Sequence, residues 1–386
     1  MRTLPACRWA TTRSFAVLFA LLVAVCAFQP PAASPPRVVA VRPAAELDRS
    51  FGDYADHDRA PRHWTGGDST YSVRAAAGEL WLFSDSFLGS VRPDGSRPDT
   101  APFVHNSAVL WAAGGPRTTA PLVSVPETDG WYWSRAGIAD GAGVSVVFAR
   151  YTKTGAGPLD VAWRGNALAR FGPGPPSRPR SFTPLPSSAR VAWGAWLARH
   201  GADTYVYGTE KASDGGARPR PAHVDGSHLH LARVTGTDLR RRWWYWTAQG
   251  TWSRDESRSA RLSGPDGTAL LTSDELSVVR HGGWYVLCAQ RVDQPFSAEV
   301  QLSWSRSPSG PFTRPRTVFT APEAGPRGTY HDANVIAYNP HEHPELERPG
   351  ELVVSYNVNS LEPRDVYRRA DIYRPRFLRM TLASVS

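Results

Sequence analysis

Three carboxylates stand in small, polar settings where apolar runs end: Asp68 in GGDST, Asp85 in FSDSF and Glu275 in TSDELS. Small neighbours leave a carboxylate room to reach a ligand. Glycosidic-bond hydrolysis needs two such groups, one protonated as general acid and one ionised as base or nucleophile. Crowding assists, because like charges raise the pKa of one member. On this reading Asp68 is the base or nucleophile, Glu275 the general acid, and Asp85 the group that tunes or orients them. Glu210 is the substitute acid, and Asp332 a substitute for either role. Around these the chain offers His105, Asn106, Trp131, Trp133, Arg150, Glu210, Arg291, His331, Asp332 and Asn357 as sugar-binding candidates. Aromatic rings present flat apolar faces and, in Trp, an N–H donor. Simpler roles compete with each assignment. The Asp residues can cap turns, Asp274-Glu275 can start a strand, His105-Asn106 can pin a loop, and His331-Asp332 can be a satisfied hydrogen-bonded pair.

The elements that must position these residues are hairpins. From Gly66 to Gly89, Tyr71, Val73 and Ala75 alternate with polar or small neighbours, AAG turns the chain, and Leu80, Leu82 and Phe83 continue. Period-two alternation around a tight turn predicts two antiparallel strands. Their open ends meet at one rim, so Asp68 and Asp85 should be neighbours. The unit recurs at Trp131–Thr152, Arg190–Ala212, Thr272–Asp293 and from Tyr330 through GELVVSYNVNS, each followed by one or two further strands. In the first unit these are HNSAVLWAAGG and a strand near Leu122; a closing strand, PRFLRMTLA, follows the fifth. No long amphipathic helix stands out. Five units of three or four strands predict an all-β, five-bladed β-propeller, since a lone blade cannot bury both faces. A two-sheet sandwich is the alternative and explains the repeated hairpin less well. The rim positions are rich in carboxylates, amides, His, Arg and Trp, whereas strand middles are Val, Leu, Ala and Tyr.

The 386 residues suffice for a large core. Arg2, Arg8 and Arg13 precede an apolar run from Phe15 to Phe28 and then QPPAASPP, which predicts a secretory signal over residues 1–33. An irregular lead-in over 34–63, with an edge strand at Arg37–Val41, and a propeller over 64–386 complete the expected organisation. The run is short for a membrane span, so no stable insertion is expected after cleavage. Without the leader only Cys288 remains, which excludes an internal disulfide. The formal charge of +9 comes from scattered arginines, favouring an anionic envelope or acidic polymer over nucleic acid. No cofactor is expected. HEHPELE (341–347) holds two His and three Glu but lacks the helical spacing of zinc proteases, so no metal is assigned. GGDS has no following Lys or helix to cradle phosphate, and no GxSxG elbow is present.

GGDSTYSV, LWLFSDSFLG, FVHNSAVL, TSDELSVV and YHDANVIAYNP with ELVVSYNVNS, together spanning about 64 to 360, resemble a group of secreted actinobacterial propellers of unknown function. The GxD…F(S/G)D(S/T)F pairing is similar to that of the related endo-D-arabinanase family, and more distantly to the furanosidase propellers. The resemblance implies a five-bladed propeller with acidic residues at the channel mouth and Asp68 with Asp85 as catalytic pair. The Asp-Pro that opens the first blade in many furanosidases is Asp68-Ser69 here, and their third-blade acid has no sure counterpart. A secreted or envelope-associated monomeric glycoside hydrolase acting on a furanose-containing, arabinan-like polysaccharide or oligosaccharide is therefore expected. The rivals are a non-catalytic carbohydrate-binding propeller and a glycoside phosphorylase with Arg135, Arg150 and Arg291 around phosphate.

Overall fold

The opening hairpin forms as its alternation predicts. In the computed structural model, Tyr71–Ala75 pairs antiparallel with Gly78–Phe83, Tyr71 opposite Leu82 and Ala75 opposite Gly78. The structure describes residues 34–57, 60–157, 160–185, 190–212 and 226–383, so the predicted leader lies outside the described residues. No helix among the described residues is long and apolar enough to cross a membrane.

The fold is all-β, and its sheets follow one another along the chain. The first sheet is Tyr71–Ala75, Gly78–Phe83, Ser107–Ala112 and Gly115–Thr119, and the second is Trp131–Asp140, Gly143–Lys153, Val161–Phe171 and Ser181–Pro184. The third runs through Ala192–His200, Asp203–Lys211, Ser227–Thr235, Trp244–Trp246 and Trp252–Ser253, with Leu271–Thr272 at the side of Ser227–Thr235. The fourth is Leu276–His281, Trp284–Gln290, Glu299–Ser305 and Arg316–Thr320. The fifth orders Val335–Glu342, Glu351–Ser360 and Pro375–Ala383, and its outer strand is Arg37–Pro43 from the start of the chain. The first strands of consecutive sheets pack against one another. The fifth returns to the first through Ser72 Oγ and His343 Nδ1, 2.5 Å apart.

Three sequence expectations change. The lead-in is not irregular: Ala45–His57 is a helix. Leu47, Phe51, Tyr54 and Ala55 form a narrow apolar stripe that surrounding charges obscure in the sequence. Phe51 is the centre of an aromatic cluster with Trp64, Trp81, Phe83, Trp111 and Phe377, uniting residues of the first sheet with the last strand. The fourth strand of the first sheet is Gly115–Thr119, and Leu122 lies beyond it in a buried loop. Finally, the first hairpin is longer than one sheet. Trp64–Gly67 pairs with Ser86–Leu88 in a separate three-stranded sheet, so Asp68 and Asp85 occupy the joint between two pairs of strands.

That joint is a bulge, and it recurs. Asp68 N donates to Asp85 O and Ser84 N to Asp68 O, after which pairing resumes at Tyr71–Leu82, leaving Ser69 and Thr70 against Phe83 alone. Comparable register shifts set Arg135 and Ala136, Gly194 and Ala195, and Asn339 and Pro340 out of step in the first strands of the second, third and fifth sheets. Ser69 (φ 54°), Gly194 (φ 91°) and Asn339 (φ 52°) supply the left-handed backbone for three of them.

Candidate active site

Asp68 and Asp85 lie side by side because the bulge joins their backbones. Gly66 and Gly67 make the approach possible. A Cβ on Gly66 would sit 2.2 Å from the carbonyl oxygen of Tyr373, and one on Gly67 would meet the Ser86 hydroxyl at 2.9 Å. Asn357 is fully buried and locks the bulge, its Nδ2 donating to Thr70 Oγ1 at 2.9 Å and to Gly67 O at 3.3 Å.

Asp68 Oδ2 accepts from the Tyr338 hydroxyl at 2.7 Å, while its Oδ1 is buried without a donor. Burial, with the neighbouring Asp85 charge, pushes the Asp68 pKa well above the usual carboxylate range, and the Tyr338 hydroxyl opposes this. Asp85 Oδ1 accepts from His105 Nδ1 and Trp133 Nε1, both at 2.7 Å. Trp131 stacks on His105 with centroids 5.0 Å apart, and Tyr151 lies 4.4 Å from Trp133. One side of Asp85 is thus an aromatic wall, extended by the exposed Phe103 ring set edge-on to His105.

Glu275 arrives from the start of the fourth sheet. Its Oε1 accepts from Ser69 Oγ at 2.6 Å and lies 3.5 Å from Arg135 Nη1. Its Oε2 is buried without a hydrogen bond, 3.7 Å from His341 Nε2. Burial raises the Glu275 pKa to about 7, against the pull of Arg135 and Ser69. Burial, His343 and Arg135 hold the His341 pKa well below its ordinary value, so this ring is neutral under Tyr71, 4.0 Å away. A buried carboxyl near neutrality, hydrogen-bonded through Ser69 to the bulge that carries Asp68, provides a proton donor and a second carboxylate in one place.

The structure brings Asp68, Asp85, Glu275, His105, Trp131 and Trp133 together and engages other candidates elsewhere. Asn106 is buried and spends both ends of its amide on backbone groups of Leu122, Val123 and Tyr132, pinning a loop. Asn357 is likewise consumed by the bulge. Arg150 donates to Asp129 O, and Arg291 pairs with Asp293 and Glu299, so neither is a free phosphate or sugar clamp. Glu210 is the clearest correction. Hydrogen bonds from Arg261 (2.8 Å) and His230 (3.1 Å) outweigh its burial and lower its pKa to about 2, which disqualifies it as a proton donor. His331 is exposed, and Asp332 Oδ1 caps a turn by accepting from Asn334 N at 2.8 Å.

Sequence reasoning gave no site role to Tyr338, Ser69 or His341. Each lies in or beside a bulge, where strand alternation no longer says which way a side chain points. The signals present were the non-glycine residue after GGD and the YNP that interrupts the fifth unit's first strand. A cavity of about 390 Å³ lies at the other end of the first strands, lined by Arg74, Ile138, Trp196, Arg199 and Glu345 among others.

A family model described as a domain of unknown function (DUF5005) matches residues 48–382. No curated protein matches the sequence. Among solved structures, a Bacteroides ovatus protein provisionally named a hydrolase shares the fold, with a TM-score of 0.69 at 20% identity over 88% of this chain and 90% of that one. A Xanthomonas citri GH43 enzyme complexed with xylotriose aligns at TM-score 0.48 and 13% identity over 88% of this chain and 94% of that chain. CoXyl43, a GH43 β-xylosidase/α-arabinofuranosidase from a compost metagenome, aligns at TM-score 0.48 and 13% identity over 91% and 96%.

Proposed function

For a chain that belongs to the DUF5005 family, whose description carries no activity, we propose a secreted glycoside hydrolase that cleaves a furanose-containing, arabinan-like polysaccharide. The observation that carries the reading is the carboxyl trio itself. Glu275, with a pKa raised to about 7, is half protonated near neutrality, within one hydroxyl of the bulge that carries Asp68 and Asp85. Glu275 serves as general acid on the leaving oxygen. Asp68, once ionised, acts as base or nucleophile, its raised pKa making it the stronger proton acceptor. Asp85 lies beside Asp68 and is itself oriented by His105 and Trp133. The Phe103, His105 and Trp131 rings offer an apolar face for a sugar ring.

The fold reading that goes with this is a five-bladed propeller. It is supported by five successive sheets whose first strands pack in chain order and by the outer strand that the chain's beginning lends to the fifth. The phosphorylase alternative loses two of its three arginines to other partners. The non-catalytic lectin remains the rival from another class.

The test is release of reducing ends from a panel of arabinans and other furanose polysaccharides. Asp68→Asn and Asp85→Asn should each remove activity by at least about a hundredfold while leaving the circular dichroism spectrum unchanged. Wild type that binds a glycan in calorimetry and never shortens it would establish the lectin reading instead.

A further inference from the structure

We propose that His281, Glu342 and Glu347 form a divalent-cation site of the zinc class, tying the fourth sheet to the fifth at the end of the first strands remote from Asp68 and Asp85. His281 ends the first strand of the fourth sheet, and Glu342 ends the first strand of the fifth. Glu347 follows the short turn Pro344–Leu346. One ligand atom from each residue lies within 4.8 Å of the others. Donors around a zinc-sized ion at about 2.0–2.2 Å stand roughly 3–4 Å apart, so small side-chain movements would close the set. One imidazole with two carboxylates is a donor set for Zn²⁺ or Mn²⁺ more than for Ca²⁺, which prefers oxygen alone.

Charge is the second argument. This chain has many arginines and uses them on two other buried glutamates: Glu210 has Arg261, and Glu323 has Arg376. Among the described residues no Arg or Lys pairs with Glu342 or Glu347; only His281 does, hydrogen-bonded to Glu342 Oε1 and 3.7 Å from Glu347 Oε2. The two glutamates thus face each other across a single imidazole, with no guanidinium or ammonium group against either.

The third argument is the orphaned oxygen. Glu342 is completely buried, and its Oε2 has no hydrogen-bond donor. Such an atom is costly unless something satisfies it. Its backbone N–H is fixed by Ser277 Oγ at 2.9 Å, and Glu347 Oε1 accepts from Val353 N at 3.2 Å, so both carboxylates are held in place. His281, one-fifth exposed, gives an ion access from solvent. The competing arrangement is a proton shared between the two carboxyls, with no ion.

The experiment titrates chelator-treated full-length protein with ZnCl₂, MnCl₂ and CaCl₂ by calorimetry, with the melting temperature measured in parallel. Binding of one Zn²⁺ or Mn²⁺ per chain and a rise in melting temperature are expected. Glu342→Gln and the more exposed His281→Ala should each weaken binding by at least about tenfold. Should Glu342→Gln not fold, His281→Ala decides alone. Absence of heat and of any melting shift with all three ions would overturn the site in favour of the shared proton. Unchanged affinity in His281→Ala would overturn it as well. Because no member touches Asp68, Asp85 or Glu275, neither result bears on the hydrolase reading.

Discussion

At the scale of single residues, the proton state of Glu275 is the sharpest expectation. Its pKa of about 7 makes the protonated fraction fall as pH rises through neutrality. A general acid of this kind predicts that kcat/KM declines above about pH 7, and that Glu275→Gln abolishes this limb. The same variant should lose far less activity on an aryl glycoside, whose leaving group needs no proton, than on polysaccharide. A uniform loss on both would remove Glu275 from the acid role. Glu210 behaves oppositely. Its pKa, about 2 in the folded chain and near 4.5 unfolded, means that it stabilises the fold above pH 4.5 and that this contribution fades as pH falls toward 2. Glu210→Gln should destabilise the protein at pH 7, measured by urea unfolding, with the gap to wild type closing toward pH 2. Hydrolysis by the folded variant should be retained.

At the scale of elements, the bulged first strand is the device that builds the site. Regular alternation would send Ser69 and Thr70 to opposite faces. The bulge at Ser69–Thr70 instead lets Ser69 reach Glu275, and the one at Asn339–Pro340 separates Tyr338, on Asp68, from His341, beside Glu275. Asn357→Ala removes the amide that holds Thr70 and Gly67. It should destabilise the protein by about 1–3 kcal/mol through unsatisfied backbone groups and displace Asp68, lowering kcat more than the stability loss explains. Chemical denaturation alongside kinetics separates the two effects; a stability loss with full activity would show that the bulge holds without its amide.

At the scale of the whole described fold, the chain's beginning secures its end. Arg37–Pro43 is the outer strand of the fifth sheet, and the helix behind it lodges Phe51 between the first sheet and the last strand. Phe51→Ala should cost about 3–5 kcal/mol, read as a fall in the denaturation midpoint, because its cavity cannot collapse among five fixed rings. The aromatic excess of the sequence is largely accounted for here and in the sheets, with Trp64, Trp81 and Trp193 all buried. Trp131 and Trp133 instead stand beside Asp85, Trp133 donating to it and Trp131 stacked on its partner His105.

Hairpin periodicity, turn chemistry and the spacing of GGD to SDS were enough to foresee the all-β class, the strand pairs and the adjacency of Asp68 to Asp85, because these are local consequences of alternation around a tight turn. Which polar residue faces which was settled by contacts between distant segments. Arg261 and His230 hold Glu210 ionised, loop carbonyls absorb Asn106, and Tyr338 joins Asp68 across the ends of the chain. A strand's period of two states that a side chain alternates; the bulges and the neighbouring sheet state where it ends up.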